Sequence, residues 1–294
     1  MVSDPVLLPA DAWREHERRH AARADALLAG HLARAAAGRK HPVEDFLFSY
    51  YSLRPAQLRR WHPGAGAALL EAPQRSAWRD HHELATPAGP AAALDLVAFL
   101  TRRGTAVRHV ADLLAATAAR PTQLGCFGLH EWAMVYRLGP DELRHHRPLR
   151  LGPAGTDTVV ETHRIRCSHH DAFRFFTPDA VPRNALQPRR EDQVALEQPG
   201  CLHATMDLYK WAYKLGPAVP GELLLDCFAL ARDVRELDMR ASPYDLAELG
   251  YEPVPIETAD GKAAYVAAQR RFAERAAPLR ERLLRVCAEL LEPA

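Results

Sequence analysis

"CLHATMDLYKWAYKLG", residues 201–216, and "PGELLLDCFALARDVRELDMR", residues 220–240, decide how this chain folds. Both read as amphipathic helices, with apolar residues recurring at helical spacing. In the second, Leu224, Phe228, Ala231 and Leu237 form a core stripe. Asp226 and Asp233 stand seven apart and share a face, with Arg232, Arg235 and Arg240 nearby, which is the pattern of a buried salt-bridge network. In the first, His203 and Asp207 stand at i,i+4 on one face, as do Tyr209 and Tyr213, with Lys210 and Lys214 beside them.

Helical patterns continue outward. A long C-terminal helix is expected from about Gly261 to Leu291, within a C-terminal unit 259–294. At the other end, 1–40 is one helix, with Asp11 as N-cap and Gly38 just past its end. "VEDFLFSYYSL" is a second helix that Pro55 interrupts, "PAQLRRW" a short third, and "HPGAGAALL" a turn leading into another. From Pro90, "AAALDLVAFLTRRG" reads as a helix ending at Gly104 and "TAVRHVADLLAATAAR" as one ending at Pro121. The β-prone "TDTVVETHRI" reads as a short strand or extended loop, and "TPDAVPRNALQP" as a loop. The sequence therefore predicts a single, mainly α-helical domain over 1–294, with a core at 41–250 and an irregular, partly extended segment at 139–190. Long connections of that kind are often functional.

Bulk properties narrow the partners. Of 294 residues, 48% are hydrophobic and 26% charged, the composition of a folded globular chain. Lys+Arg number 38 against Asp+Glu 37, so no whole-molecule positive field draws in nucleic acid and only a local patch would do so. The five cysteines include no CxxC pair, and the start lacks a signal-peptide pattern. No window is long and apolar enough for a membrane helix. Together these point to a cytoplasmic chain with reduced thiols and no membrane partner.

Reactive side chains concentrate in "HRIRCSHHDAFRFFTPDA", residues 163–180. Cys167 lies near Arg166 and three histidines, yet no nucleophile motif surrounds it, which favours a buried, inert thiol. Ligand-type pairs at i,i+4 are Cys126 with His130, His163 with Cys167, and His203 with Asp207. Zinc-finger, EF-hand and paired Glu-x-x-His spacings are absent. A helical metal site for iron, manganese or zinc, of the di-iron oxidase or hydrolase kind, would draw on His163, His169, His203, Asp207 and Asp226, with Glu131. Aromatic rings sit beside acids in "HEWAMVY" and "DAFRFF", the materials of a pocket for a flat heterocycle. "GPAGTD", 152–157, lacks a P-loop ending, whereas "PGAG", 63–66, lies between two expected helices, where backbone N–H groups meet phosphate.

Four long stretches, "HPVEDFLFSYYSLRPAQLRRWHPGAG", "GCFGLHEWAMVYR", "HRIRCSHHDAFRFFTPDAVPRNALQP" and "GCLHATMDLYKWAYKLGPAVPGELLLDCFALARD", resemble a bacterial family commonly labelled 3-methyladenine DNA glycosylase. The likeness covers most of residues 41–245. It implies an enzyme that flips an alkylated purine out of DNA, stacks it and cleaves its N-glycosidic bond with one carboxylate and no cofactor. The best-known helical glycosylases carry a Leu-Pro-Gly-Val-Gly type hairpin. Here the turn is His62, Pro63, Gly64, Ala65, Gly66, with His62 in place of the leucine, and Asp80 follows closer than the family's catalytic Asp. Asp171 is the first candidate carboxylate, because it adjoins the aromatic run; Asp207 is the second, and Glu131 completes the acidic set. Trp132, Tyr136 and Phe175 would stack the base, while Arg164, Arg166, Arg174 and Lys210 would meet DNA phosphates. A third reading, a non-catalytic helical binding protein, expects these polar residues scattered over the surface. If 163–180 is the wall of a site, its partners are the His203–Asp207 face and the Glu131 segment.

Overall fold

The computed structural model describes residues 5–143 and 147–292. Twelve α-helices occur among them: α1 Ala10–Ala36, α2 Phe46–Tyr50, α3 Pro55–Leu58, α4 Pro73–Ser76, α5 Leu96–Ala119, α6 Leu129–Ala133, α7 Gly152–Thr162, α8 His170–Phe173, α9 Gln193–Leu196, α10 Leu202–Lys214, α11 Gly221–Arg240 and α12 Ala259–Leu291. The mainly helical single domain expected from the sequence is what forms. The expectations at Met1–Asp4, Arg144–His146, Pro293 and Ala294 lie outside the described residues.

The core is built on α10, where every residue from Leu202 to Tyr209 is buried. It packs along α11, and α12 crosses α5, α10 and α11. In α11 the expected stripe, Leu224, Phe228, Ala231 and Leu237, does face inward. A helix with two amphipathic neighbours on different sides must be enclosed all round, and α10 therefore carries its polar side chains into the interior. Thr258 caps α12, its Oγ1 accepting from Gly261 N at 3.0 Å. Asp11 is not the cap of α1; the helix starts at Ala10, and Asp11 stands in its first turn, where a negative charge suits the helix dipole.

A four-stranded sheet corrects three helical expectations. Its strands are β1 Val6–Leu8, β2 Ala67–Leu70, β3 His81–Thr86 and β4 Gly89–Leu94, in the order β1-β2-β4-β3. β1 and β2 are parallel; β2 with β4 and β4 with β3 are antiparallel. "AALL" and "AAAL" thus lie in strands, although alanine favours helix. Propensity is a weak prior, and here small side chains fit a closely covered sheet: Ala68, Ala91 and Ala93 are buried together. The helix after β4 begins only beyond Asp95, whose Oδ1 accepts from Ala98 N at 2.8 Å. It then runs unbroken through Gly104 to Ala119, because Phe99, Val107, Val110 and Leu114 share one buried face on both sides of the glycine. The second predicted helix, 43–53, shortens to α2.

Residues 152–162 form α7 rather than a strand or loop. Pro153 occupies its first turn, Val159 and Val160 point into the core, and Thr156, Thr158 and Thr162 return their hydroxyls to carbonyls four residues back. The rest of the segment is irregular as expected. Asn184 anchors it: its Oδ1 accepts from Cys167 N at 2.7 Å, and its Nδ2 donates to the carbonyls of Cys167 and Leu186.

Candidate metal centre

Five segments bring acids and histidines together inside the helical core. α10 supplies His203 and Asp207, one turn apart on the same face. His169 precedes α8, Glu197 follows α9, α6 carries His130 and Glu131, and α11 carries Arg235 and Asp238. All eight are buried. They form two adjoining groups, His169–Glu197–Asp207 and His130–His203–Asp238, each offering ligand atoms within 4.8 Å of one another. The rings of His169 and His203 join the groups, with centroids 5.2 Å apart.

In the first group, His169 Nε2 stands 3.3 Å from Glu197 Oε1 and 3.4 Å from Asp207 Oδ2. Nε2 faces both carboxylates as an ion pair, without a well-aligned hydrogen bond, and Nδ1 has no hydrogen-bond partner. Asp207 is held from two sides: Oδ1 accepts from the Tyr51 hydroxyl at 2.8 Å, and Oδ2 accepts from Lys210 Nζ at 2.6 Å. Glu197 Oε1 accepts from Gln193 Nε2 at 2.5 Å. Burial works against charge on His169, but the Asp207 and Glu197 carboxylates more than offset it and push its pKa up to about 9. Burial likewise opposes charge on Asp207, and Lys210 and His169 overcome it, holding the acid well below the usual carboxylate range.

The second group is closed by hydrogen bonds. His130 Nε2 and Asp238 Oδ1 are 2.9 Å apart, and Arg235 Nη1 donates to Asp238 Oδ2 at 3.0 Å and to Glu131 Oε1 at 2.8 Å. Despite burial, Asp238 keeps His130 charged well above neutral pH, whereas His203, desolvated and facing His130, is held neutral. The rings of His130 and His203 meet edge to face at 4.5 Å.

Formal charge is informative here. Glu131, Glu197, Asp207 and Asp238 contribute four negative charges; Lys210 and Arg235 are paired with three of them, and the buried Arg280 acts on Glu197. Protons on His130 and His169 answer the negative charge that remains, and a cation bound among the acids would take the place of such a proton.

The sequence-derived metal set divides. His169, His203 and Asp207 converge, with Glu131 in the adjoining ion pair. His163 does not join them: it ends α7, with Nδ1 bonded to Val159 O at 2.8 Å. Nor does Asp226, which pairs with Arg23 and Arg282, each at 2.7 Å. The expected Asp226–Asp233 network is likewise not formed; Asp233 pairs with Arg275, while Arg235 turns inward to Glu131 and Asp238. His130, Glu197 and Asp238 complete the cluster. The Cys126–His130 spacing was a signal for the first of them (Sγ lies 3.7 Å from Nδ1), but no local pattern marks Glu197.

The base-binding set does not assemble. Trp132 is fully enclosed, its Nε1 donating to Ala241 O at 2.9 Å. Tyr136 is buried, donates to Glu161 Oε1 at 2.8 Å, and has Arg137 and Arg183 over its ring. Arg174 covers Phe175 at 4.2 Å. Asp171 is half-buried and engaged by Lys210 at 3.0 Å, which lowers its pKa despite desolvation. Lys210 is therefore locked between two carboxylates rather than free for phosphate; Arg164, Arg166 and Arg174 are exposed. The Pro63–Gly66 turn is not a hairpin between helices. It abuts the α10–α11 connection, with Ala65 N donating to Ala218 O at 3.0 Å and Gly64 against Pro220. Asp80 pairs with Arg102. Burial pushes the Cys167 thiol up to about 12, as an inert core cysteine requires.

No family model, curated protein or solved structure matches the chain. Among the described residues no helix is long and apolar enough to cross a membrane.

Proposed function

We propose that the protein is a metal-dependent enzyme acting on a small molecule, with an ion held by His169, Glu197 and Asp207. One observation carries this reading: a buried histidine whose Nε2 stands 3.3 and 3.4 Å from two carboxylate oxygens without a well-aligned hydrogen bond to either. Ligands bound at about 2.1 Å around a tetrahedral ion stand roughly 3.4 Å apart, so the spacing suits coordination better than hydrogen bonding. One nitrogen and two oxygens suit iron, manganese or zinc. His203 adjoins the same space, and the His130–Asp238 pair beside it is closed by its own hydrogen bond.

An ion bound there would supply Lewis acidity or, if redox-active, electrons, and the chain's own groups would fix and tune it. Tyr51 and Lys210 orient Asp207 and keep it ionised. The Arg235–Glu131 pair does the same for Asp238. The enclosure of every donor favours a reactant as small as dioxygen, and so an oxidase over a hydrolase of bulky substrates. Metal analysis of the purified protein tests the reading. Stoichiometric iron, manganese or zinc is expected in the wild type, with loss in His169→Ala and Asp207→Asn. Metal-free protein that releases 3-methyladenine from alkylated DNA, with the release abolished by Asp171→Asn, would instead support base excision and overturn it.

A further inference from the structure

A second place on the molecule gathers charge without balancing it. After α7 the chain is extended, and Ile165 bridges to Asn184 and is buried. Extended backbone sends alternate side chains to opposite faces, so Arg164 and Arg166 leave on the same, outward side. Both line a surface depression of about 520 Å³, together with Lys262 from the start of α12 and the 125–129 turn. Lys262 Nζ stands 6.0 Å from the centre of the Phe127 ring. Phe127 holds a left-handed backbone, φ 50°, a strained state for a bulky residue, and lines the same depression. Among the described residues, none of the three cations forms an ion pair or hydrogen bond with a carboxylate. Elsewhere the arginines of this chain are extensively paired, as at Arg137, Arg150 and Arg235.

We infer that this depression binds the phosphate or pyrophosphate group of a small ligand. Three like charges converging on one concavity repel one another, and a compact polyanion removes that repulsion. Two guanidinium forks match phosphate oxygens in pairs, Lys262 adds a point charge, and Phe127 offers an apolar face for the organic part. The volume is that of a small-molecule pocket. A near-neutral chain with three cations at one spot, rather than a basic stripe, suits a small ligand over a nucleic-acid backbone. Leu129 lines the depression, and its chain neighbour His130 belongs to the buried His130–His203–Asp238 group. The inference does not depend on the ion.

Calorimetry with inorganic pyrophosphate on EDTA-treated protein tests it. Saturable binding is expected in the micromolar to low-millimolar range, weakening with added salt. The double variant Arg164→Ala/Arg166→Ala should bind at least about tenfold more weakly, since two charge-assisted contacts are gone. Arg39→Ala/Lys40→Ala, which removes cations lining a different cavity, should bind as the wild type does. All these residues are exposed, so thermal unfolding should be unchanged and misfolding does not confuse the result. The inference is overturned by absence of binding at millimolar pyrophosphate, by equal weakening in both variants, or by a duplex oligonucleotide binding more tightly than pyrophosphate through the same two arginines.

Discussion

At His169 the chain holds an imidazole whose charge is set by two carboxylates, and this gives ion binding a definite pH dependence. An ion displaces the proton from a ring whose pKa is about 9, so protons compete below that value. Apparent affinity for zinc or manganese should rise as pH increases from about 6 toward 9 and then level off. Calorimetry in buffers of different ionisation enthalpy should detect proton release on binding; affinity independent of pH would contradict the geometry. Asp207→Asn should also destabilise the metal-free fold, by about 1.5–3 kcal/mol, because Lys210 would keep only Asp171 and His169 only Glu197 as charged partners. Urea unfolding measures this, and a change under about 1 kcal/mol would mean that Asp207 is not the hub. At this scale the sequence was half legible. His203 and Asp207 announce themselves by their spacing on α10. Glu197 and Asp238 do not, because what recruits them is the meeting of helices distant in sequence. His163 and Asp226 carry the right chemistry on faces that turn away.

Among the elements, α5 shows how packing overrides local punctuation. Gly104 looks like a stop, yet the apolar face continues across it. Its helical backbone has room for a methyl group: an added Cβ would lie 3.7 Å from its nearest neighbour, the flexible end of Arg108. Gly104→Ala should therefore stabilise the protein by about 0.5–1 kcal/mol, seen as a higher urea midpoint. Destabilisation of that size would indicate a helix broken at 104. Gly221→Ala should act oppositely, since its Cβ would meet His20 Nδ1 and Trp61 Cδ1 at 2.8 Å. The alanine-rich β2 and β4 were illegible for a related reason. Their pattern is that of buried helix and buried strand alike, and only pairing with β1 and β3 decides between them. α7 was misread through its threonines and valines, whose extended preference yields once their hydroxyls bond back along the helix.

For the molecule as a whole, the class and the central helices were legible because hydrophobic periodicity is a local record of a global core. The site was not, because it is assembled from segments between Tyr51 and Asp238 that meet only after folding. Such a site couples ion binding to stability: a divalent ion that binds the folded chain alone should raise Tm in proportion to the logarithm of its excess concentration. Thermal scans with manganese, iron(II) or zinc after EDTA treatment read this directly, and an unchanged Tm would separate the cluster from any metal role. The most direct test is an anomalous-difference map from crystals of the protein as purified, collected across the iron, manganese and zinc edges. A peak is expected about 2.0–2.2 Å from His169 Nε2, Glu197 Oε1 and Asp207 Oδ2. A map without a peak there, with His169 instead hydrogen-bonded to either acid, would contradict the proposed metal centre.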